Sequence, residues 1–248
     1  MTKKILLITE GKDEKRLFNK LLKKFSKQKV EIVQFRTNIY QLFTSLESYN
    51  CDYKDLEITQ VLIEQCKNLT TADKQILMQT YSEIFLIFDF DPHDPLYNEN
   101  KIIKLNEHFV DSSDYGKLYI NYPMVESFYH IDRDHYIKSI PDENFNLSTF
   151  NIRDLTGYKK DVGMKGFALN DNDSKYTVAF AIEQHISKFK SIIEITDSDV
   201  FLHEHLRDFL IAQCTKLRNT KEAFIVNTSC FAILELYEKS LNEALSNG

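Results

Sequence analysis

The sequence predicts an α/β protein with a mainly parallel sheet, flanked by helices and followed by a helical C-terminal part. Short apolar runs of strand length recur in the N-terminal half, and segments with helical periodicity separate them. Three longer helical segments occupy the last third of the chain. The first two apolar runs and the segment between them form a β-α-β unit, which favours parallel pairing. We therefore expect one sheet with helices on its faces.

The strand predictions rest on apolar runs that stop at turn-forming or acidic residues. They place strands at residues 4–9, 30–35, 83–88 and 117–121. Leu17, Leu21, Leu22 and Phe25 recur at helical spacing and predict a first helix from about residue 13 to 26. Similar patterns predict further helices at 39–49, 58–68, 73–80, 102–109, 175–190, 197–219 and 231–244.

Changes in composition suggest two regions. Polarity rises beyond Pro141, so we expect an α/β domain over residues 1–140 and a mainly helical region over 141–248, packed on it or beside it. Residues 50–80 are polar and resemble an insertion between sheet strands. The 43% hydrophobic content of this 248-residue chain is ample for a buried core.

Composition also limits the class of protein. No apolar run approaches a membrane span and no signal peptide is evident, so we expect a cytoplasmic protein with reduced thiols and no membrane partner. The sequence has neither GxGxxG nor GxxxxGK[ST], which argues against a Rossmann dehydrogenase or a P-loop ATPase. A net charge of −6 argues against nonspecific coating of nucleic acid. The acid-free run from Lys15 to Lys29 is either a local basic patch or the solvated face of a helix.

Acidic side chains follow two of the predicted strands. Glu10 comes directly after the first strand, and Asp89 and Asp91 come after the third. The carboxyl ends of parallel strands meet at one edge of a sheet, and alternate residues of an extended segment point to the same side. Carboxylate oxygens suit Mg²⁺ or Mn²⁺. The sequence therefore predicts a metal site formed by these three acids.

Two segments resemble a known family. "LLITEGKDEKRLF" and the later "IFLIFDFDPHD" resemble the Toprim family of topoisomerases, primases and nucleases, in which a Glu follows the first strand and an Asp-x-Asp follows a later one. The resemblance covers about residues 3–121 and is strongest to the nucleases of bacterial anti-phage defence, similar to the overcoming-lysogenization-defect nucleases. It implies a magnesium-dependent endonuclease for DNA or RNA that works beside a defence ATPase.

The resemblance also suggests further site residues. It implies that Glu14 joins the metal site and that Glu126, in "YPMVESFYH", completes that site or binds a second metal. Each also has a simpler interpretation as an acid at the start of a helix. Lys165, in "VGMKGF", can approach a phosphate or lie in an ordinary loop. Glu10 is the best candidate for proton transfer to or from an attacking water.

Three other functions fit part of the pattern. Asp89 can be the nucleophile of a phosphatase of the haloacid-dehalogenase kind, although that motif normally lies on the first strand of the core. Asp89 and Asp91 can instead bind the metal of a glycosyltransferase, which leaves Glu10 unexplained. The acidic crevice can also be vestigial in a non-catalytic interaction module. The acidic net charge further suggests a homo-oligomer or a partner that supplies cationic surface.

Overall fold

The computed structural model describes residues 4–26, 29–49, 51–131, 149–154, 157–160, 162, 168–196 and 202–247. Short 3₁₀ helices occur at Tyr53–Asp55, Val125–Tyr129, Ile152–Asp154 and Leu202–His205. The strands are β1 (Ile5–Thr9), β2 (Val30–Gln34), β3 (Glu83–Asp89), β4 (Val110–Asp111), β5 (Gly116–Tyr122), β6 (Thr149–Asn151), β7 (Glu222–Phe224) and β8 (Val226–Asn227). The α-helices are α1 (Lys12–Phe25), α2 (Ile39–Glu47), α3 (Ile58–Gln65), α4 (Thr71–Leu77), α5 (Glu99–His108), α6 (Lys175–Ile192), α7 (Leu206–Thr220) and α8 (Phe231–Ser246).

The central sheet has the order β2-β1-β3-β5-β4, and β2, β1, β3 and β5 run parallel. All five residues of β1 are buried, as expected for a strand that is covered on both faces. The register pairs Thr9 with Ile87 and Asp89 with Asn121. The prediction of an α/β fold with a mainly parallel sheet, flanking helices and a helical C-terminal part is confirmed.

The first helix shows why the periodic pattern works. Helix α1 buries Leu17, Phe18, Leu21, Leu22 and Phe25, the apolar side of its sequence, and leaves its lysines exposed or only partly buried. The three long C-terminal helices overlap the predicted segments, but the helix predicted at 197–219 begins as an α-helix only at Leu206, after the 3₁₀ helix Leu202–His205. The part of the predicted helix at 197–201 lies outside the described residues.

The sequence prediction omitted four short strands. Strands β4 and β8 pair antiparallel with β5, and β6 and β7 form a separate two-stranded sheet. Strands of two or three residues are too short to show alternation, so periodicity gives no signal for them. Strand β8 brings the C-terminal part into the main sheet through the pair Tyr122 and Val226. One hydrophobic core accordingly contains residues from both halves of the chain.

A polar cluster joins helix α8 to the sheet. Lys117 on β5 is 4% exposed, and its Nζ lies 2.8 Å from Oε2 of Glu235 on α8. The hydroxyl of Tyr119 donates to the same oxygen at 2.7 Å, and that of Ser112 donates to Glu235 Oε1 at 3.2 Å. Because a buried ammonium is costly without a partner, Glu235 holds this helix in a defined position.

The segment at residues 50–80 contains the Tyr53–Asp55 turn, α3 and α4. It packs beside β2 and α2, where Arg36 approaches Asp73 at 3.9 Å. Within the described ranges, no helix combines the length and apolarity that a membrane crossing requires.

Candidate metal centre

The carboxyl ends of β1 and β3 bring Glu10 and Asp89 together. Glu10 continues from β1, and its backbone N–H donates to the carbonyl of Ile87 at 3.0 Å. The backbone N–H of Asp89 donates in turn to Glu10 Oε2 at 3.1 Å. Asp89 also accepts a hydrogen bond from Nδ2 of Asn121, its register partner on β5, at 3.1 Å. The carboxyl ends of β1, β3 and β5 therefore hold these two acids side by side.

Burial and mutual repulsion make these acids hold their protons strongly. Burial raises the pKa of Glu10 to about 8, and the charges of Glu14, Asp91 and Asp94 act in the same direction, while the Asp89 N–H opposes them. Burial also raises the pKa of Asp89 well above its usual range, with further increases from Glu14 and Glu10. Such clusters of like charge are common at sites that bind cations or move protons.

Glu14 has two roles in this geometry. It is 4% exposed, and its Oε2 accepts a hydrogen bond from the Gly11 N–H at 2.7 Å. That contact is the acid half of a capping box, in which the third helical residue accepts from the N–H of the N-cap residue, so the simpler interpretation of Glu14 as a helix-start acid holds. Burial raises its pKa, and Asp13 and Glu126 add to the increase. Glu14 thus caps α1 while it lies within electrostatic reach of the strand-end acids.

The turn after β3 fixes Asp91. Phe90 is fully buried and packs on Tyr122 with ring centroids 5.1 Å apart, so it faces away from the acids as predicted. The Tyr40 hydroxyl donates to the Phe90 carbonyl at 2.6 Å. Asp91 departs from the extended backbone that the sequence suggested, with φ of 33°, a conformation that costs energy for a residue with a side chain.

Asp91 and Asp94 form the outer part of the cluster. Burial raises the pKa of Asp91, Asp94 raises it further and His93 opposes the increase. Asp94 is held by Asn38, the N-cap residue of α2, whose side-chain amide donates to it. Asp94 ends the segment "IFLIFDFDPHD" but was not among the predicted site residues.

Glu126 approaches from the 3₁₀ helix that follows β5. Its Oε1 lies 3.2 Å from Nζ of Lys159, and its Oε2 is buried with no hydrogen-bond partner among the described residues. Its charge raises the pKa values of both Glu14 and Asp89, which places it near them. Its ion-pair partner, Lys159, was not among the predicted site residues.

The structure accounts for two of the lysines in the predicted basic run. Lys165 lies outside the described residues. Lysines of the basic run on α1 hold another segment of the chain. Lys20 donates to the Leu169 carbonyl at 2.7 Å, and Lys24 donates to the Asp171 carbonyl at 2.6 Å. These two lysines therefore have structural contacts in addition to their place on a solvated helix face.

The donor set fits a hard cation in its chemistry, but its side chains are not gathered around a single point. Within the described part of the chain, no group of three or more His, Cys, Asp or Glu side chains is arranged to hold a metal ion. Three buried oxygens without hydrogen-bond partners among the described residues nevertheless border the acids, and such atoms invite a ligand or ion. They are Asn121 Oδ1, Glu126 Oε2 and Tyr158 Oη.

Comparison with known proteins gives no relative for this arrangement. No family model matches the chain, and neither the curated proteins nor the solved structures give a significant match. The Toprim resemblance therefore stays a prediction that rests on the two strand-end motifs and the order in which they occur.

Proposed function

We propose that the chain is a metal-dependent phosphodiester nuclease with a Toprim-like site, acting on DNA or RNA in phage defence. The observation that carries the proposal is the contact of Glu10 with Asp89 at the carboxyl ends of β1 and β3, with Glu126 near Asp89 from the 3₁₀ helix after β5. Ligand sites of parallel sheets lie at this edge. The hydrogen bond from Asp89 to Glu10 supports the pairing of the two sequence motifs.

The residues suited to hold Mg²⁺ or Mn²⁺ are Glu10, Asp89 and Asp91, with Glu14 and Glu126 beside them. Oxygen donors from two or three carboxylates, with the remaining positions left to water and phosphate, are what Mg²⁺ prefers. The ion, when bound, would polarise the scissile phosphate and lower the pKa of an attacking water.

Glu10 is the residue we assign to proton transfer. Its pKa of about 8 lies close to neutral pH, where a general base or acid works best. The Asp89 N–H holds one of its oxygens in place, so the direction of the carboxylate is fixed. Lys165 keeps the proposed role of neutralising charge on the phosphate in the transition state.

The position of Asp89 supports a nuclease over the other two enzyme classes. Asp89 follows the third strand in the chain, whereas the phosphatase motif normally follows the first strand of its core. A glycosyltransferase gives no role to Glu10, which is hydrogen bonded directly to Asp89. A non-catalytic module is the outcome that a negative cleavage experiment would favour.

A partner belongs to the same proposal. The chain carries a net charge of −6, and Lys20 and Lys24 of its basic run bind backbone carbonyls. A second copy or a defence ATPase would supply the cationic surface that a polyanionic substrate needs.

The experiment is cleavage of plasmid DNA, single-stranded DNA and total tRNA in Mg²⁺ or Mn²⁺, with an EDTA control. We expect metal-dependent cleavage that is lost in Glu10→Gln and in Asp89→Asn. Asp114→Asn is the matched control, because Asp114 is exposed and lies before β5, at the opposite edge of the sheet. Cleavage that survives both site substitutions contradicts the site. No cleavage of any substrate contradicts an autonomous nuclease and favours the interaction module.

A further inference from the structure

A lysine reaches the acidic cluster from outside the sheet. Lys159 lies in a helical segment at 157–160, and its ammonium nitrogen is 3.2 Å from Glu126 Oε1. The lysine side chain is 55% exposed, whereas that of Glu126 is 24% exposed. The ammonium group therefore sits at the mouth of the crevice, with the carboxylate on its inner side.

The contact involves more than one acid. The charges of Glu126, Asp89 and Asp13 all raise the pKa of Lys159, against the effect of burial. Glu126 lies in the 3₁₀ helix after β5, Asp89 ends β3, and Asp13 lies in the first turn of α1. Because all of them act on one ammonium group, that group belongs to the cluster rather than to a single surface ion pair.

Tyr158 anchors the segment that presents this lysine. Its side chain is 7% exposed, stacks on His130 at a centroid distance of 5.7 Å and packs on Phe150 at 5.2 Å. Its hydroxyl is buried without a hydrogen-bond partner among the described residues. Burial raises its pKa well above the usual range, and the charges of Glu126 and Asp89 add to the increase, so the hydroxyl lies near the same cluster. An unsatisfied buried hydroxyl beside these acids marks a place where a ligand or ion would find a donor.

We propose that Lys159 is a built-in counter-ion of the acidic crevice, which neutralises Glu126 until a divalent cation binds and displaces the ammonium group. This inference rests on the proposed function, since it requires a metal site at these acids. The two cations compete because a divalent ion bound by the cluster repels an ammonium group that shares one of its carboxylates. Lys159 thus sets a threshold concentration of metal for occupancy of the site.

The test is the affinity for Mn²⁺ of the full chain, measured by titration calorimetry and by loss of the spectrum of free Mn²⁺ in electron paramagnetic resonance. We compare Lys159→Met with Lys160→Met, its exposed neighbour in the same segment, because both substitutions change the net charge equally. We expect Mn²⁺ to bind Lys159→Met about 2- to 5-fold more tightly than the wild type, an effect in the range of partly exposed ion pairs. Lys160→Met should bind Mn²⁺ like the wild type.

Two results overturn the inference, and only the second of them also contradicts the proposed function. If the wild type binds Mn²⁺, and Asp89→Asn abolishes binding, but Lys159→Met binds no more tightly than Lys160→Met, the counter-ion role is wrong while the metal site stands. If neither the wild type nor Lys159→Met binds Mn²⁺, the proposed function and the inference both fail.

Discussion

The backbone N–H of Asp89 donates to the side chain of Glu10 across the ends of two adjacent parallel strands, at 3.1 Å. This bond joins the two motifs that were predicted to meet at the carboxyl ends of parallel strands. It uses one oxygen of Glu10 and leaves the Asp89 carboxylate to accept from Asn121. The two acids are therefore held side by side, in a setting where both bind protons more strongly than usual.

The first prediction concerns pH. Glu10 releases its proton near pH 8 in the folded chain and near 4.5 when unfolded, so the folded state binds the extra proton between these values. The stability that Glu10 contributes is therefore greatest below pH 4.5 and is lost as the pH rises through 8. In EDTA, the wild type should lose up to about 4 kcal/mol through this group between pH 5 and 8.5, since each pKa unit corresponds to about 1.4 kcal/mol, and Glu10→Gln should remove that loss.

Urea unfolding at several pH values measures this effect. Glu57→Gln is the control, because Glu57 is exposed on α3's N-terminal flank. Titrating groups that do not interact with Glu10, such as the buried His185, whose pKa burial lowers, contribute equally in all three proteins and cancel in the comparison. Parallel pH profiles for Glu10→Gln and the wild type would show that Glu10 is not perturbed.

The second prediction concerns added metal. A divalent cation needs deprotonated carboxylates, so its affinity should rise as Glu10 and Asp89 lose their protons. We expect Mg²⁺ at about 100 times its dissociation constant to stabilise the wild type by about 2.7 kcal/mol. Thermal unfolding should show a larger increase in melting temperature at pH 8.5 than at pH 6. An equal increase in Asp89→Asn would place the bound ion elsewhere.

The third prediction concerns Tyr40, which is 1% exposed and donates to the Phe90 carbonyl. Tyr40→Phe leaves that carbonyl without its partner in a turn that already holds Asp91 at a positive φ. We expect a loss of about 1–2 kcal/mol of stability and weaker Mn²⁺ binding. Tyr97→Phe is the control, because the Tyr97 hydroxyl makes only a 3.9 Å contact with Cys214. Equal losses in both variants would count against the positioning role.

The fourth prediction tests the attachment of α8. Glu235→Gln keeps an acceptor for Tyr119 but removes the charge opposite Lys117, whose side chain is 5% exposed. We expect a loss of about 2 kcal/mol in urea unfolding, because the ammonium group stays buried without its counter-charge. Glu238→Gln, an exposed neighbour on the same helix, should be neutral. Equal stability of the two variants would mean that the pair adds little.

The main features of the fold were predictable because they depend on local patterns. β1 is apolar up to Thr9, β3 is apolar between its two terminal acids, and α1 buries one periodic face, so each element is evident in its own residues. The pairing of β8 with β5 was not predictable. It depends on Val226 and Asn227, which lie more than a hundred residues after their partners on β5 in the sequence.

The candidate site likewise has residues that were predictable from the sequence and residues that were not. Glu10, Asp89 and Asp91 follow apolar runs, so their place at one sheet edge follows from sequence order and parallel topology. Lys159 gave no signal, because it is one of two adjacent lysines and only the tertiary structure brings it to Glu126. The positive φ of Asp91 was also unpredictable, since it depends on the packing of Phe90 below it.

Anomalous diffraction from crystals of the full chain grown with Mn²⁺ at pH 8 would locate the ion itself. We predict an anomalous peak within coordination distance of oxygens from Glu10 and Asp89, at the carboxyl ends of β1 and β3. The same peak should be absent from crystals of Asp89→Asn. Fully occupied Mn²⁺ elsewhere on the chain, with no peak at these two carboxylates, would contradict the metal site and the nuclease proposed from it.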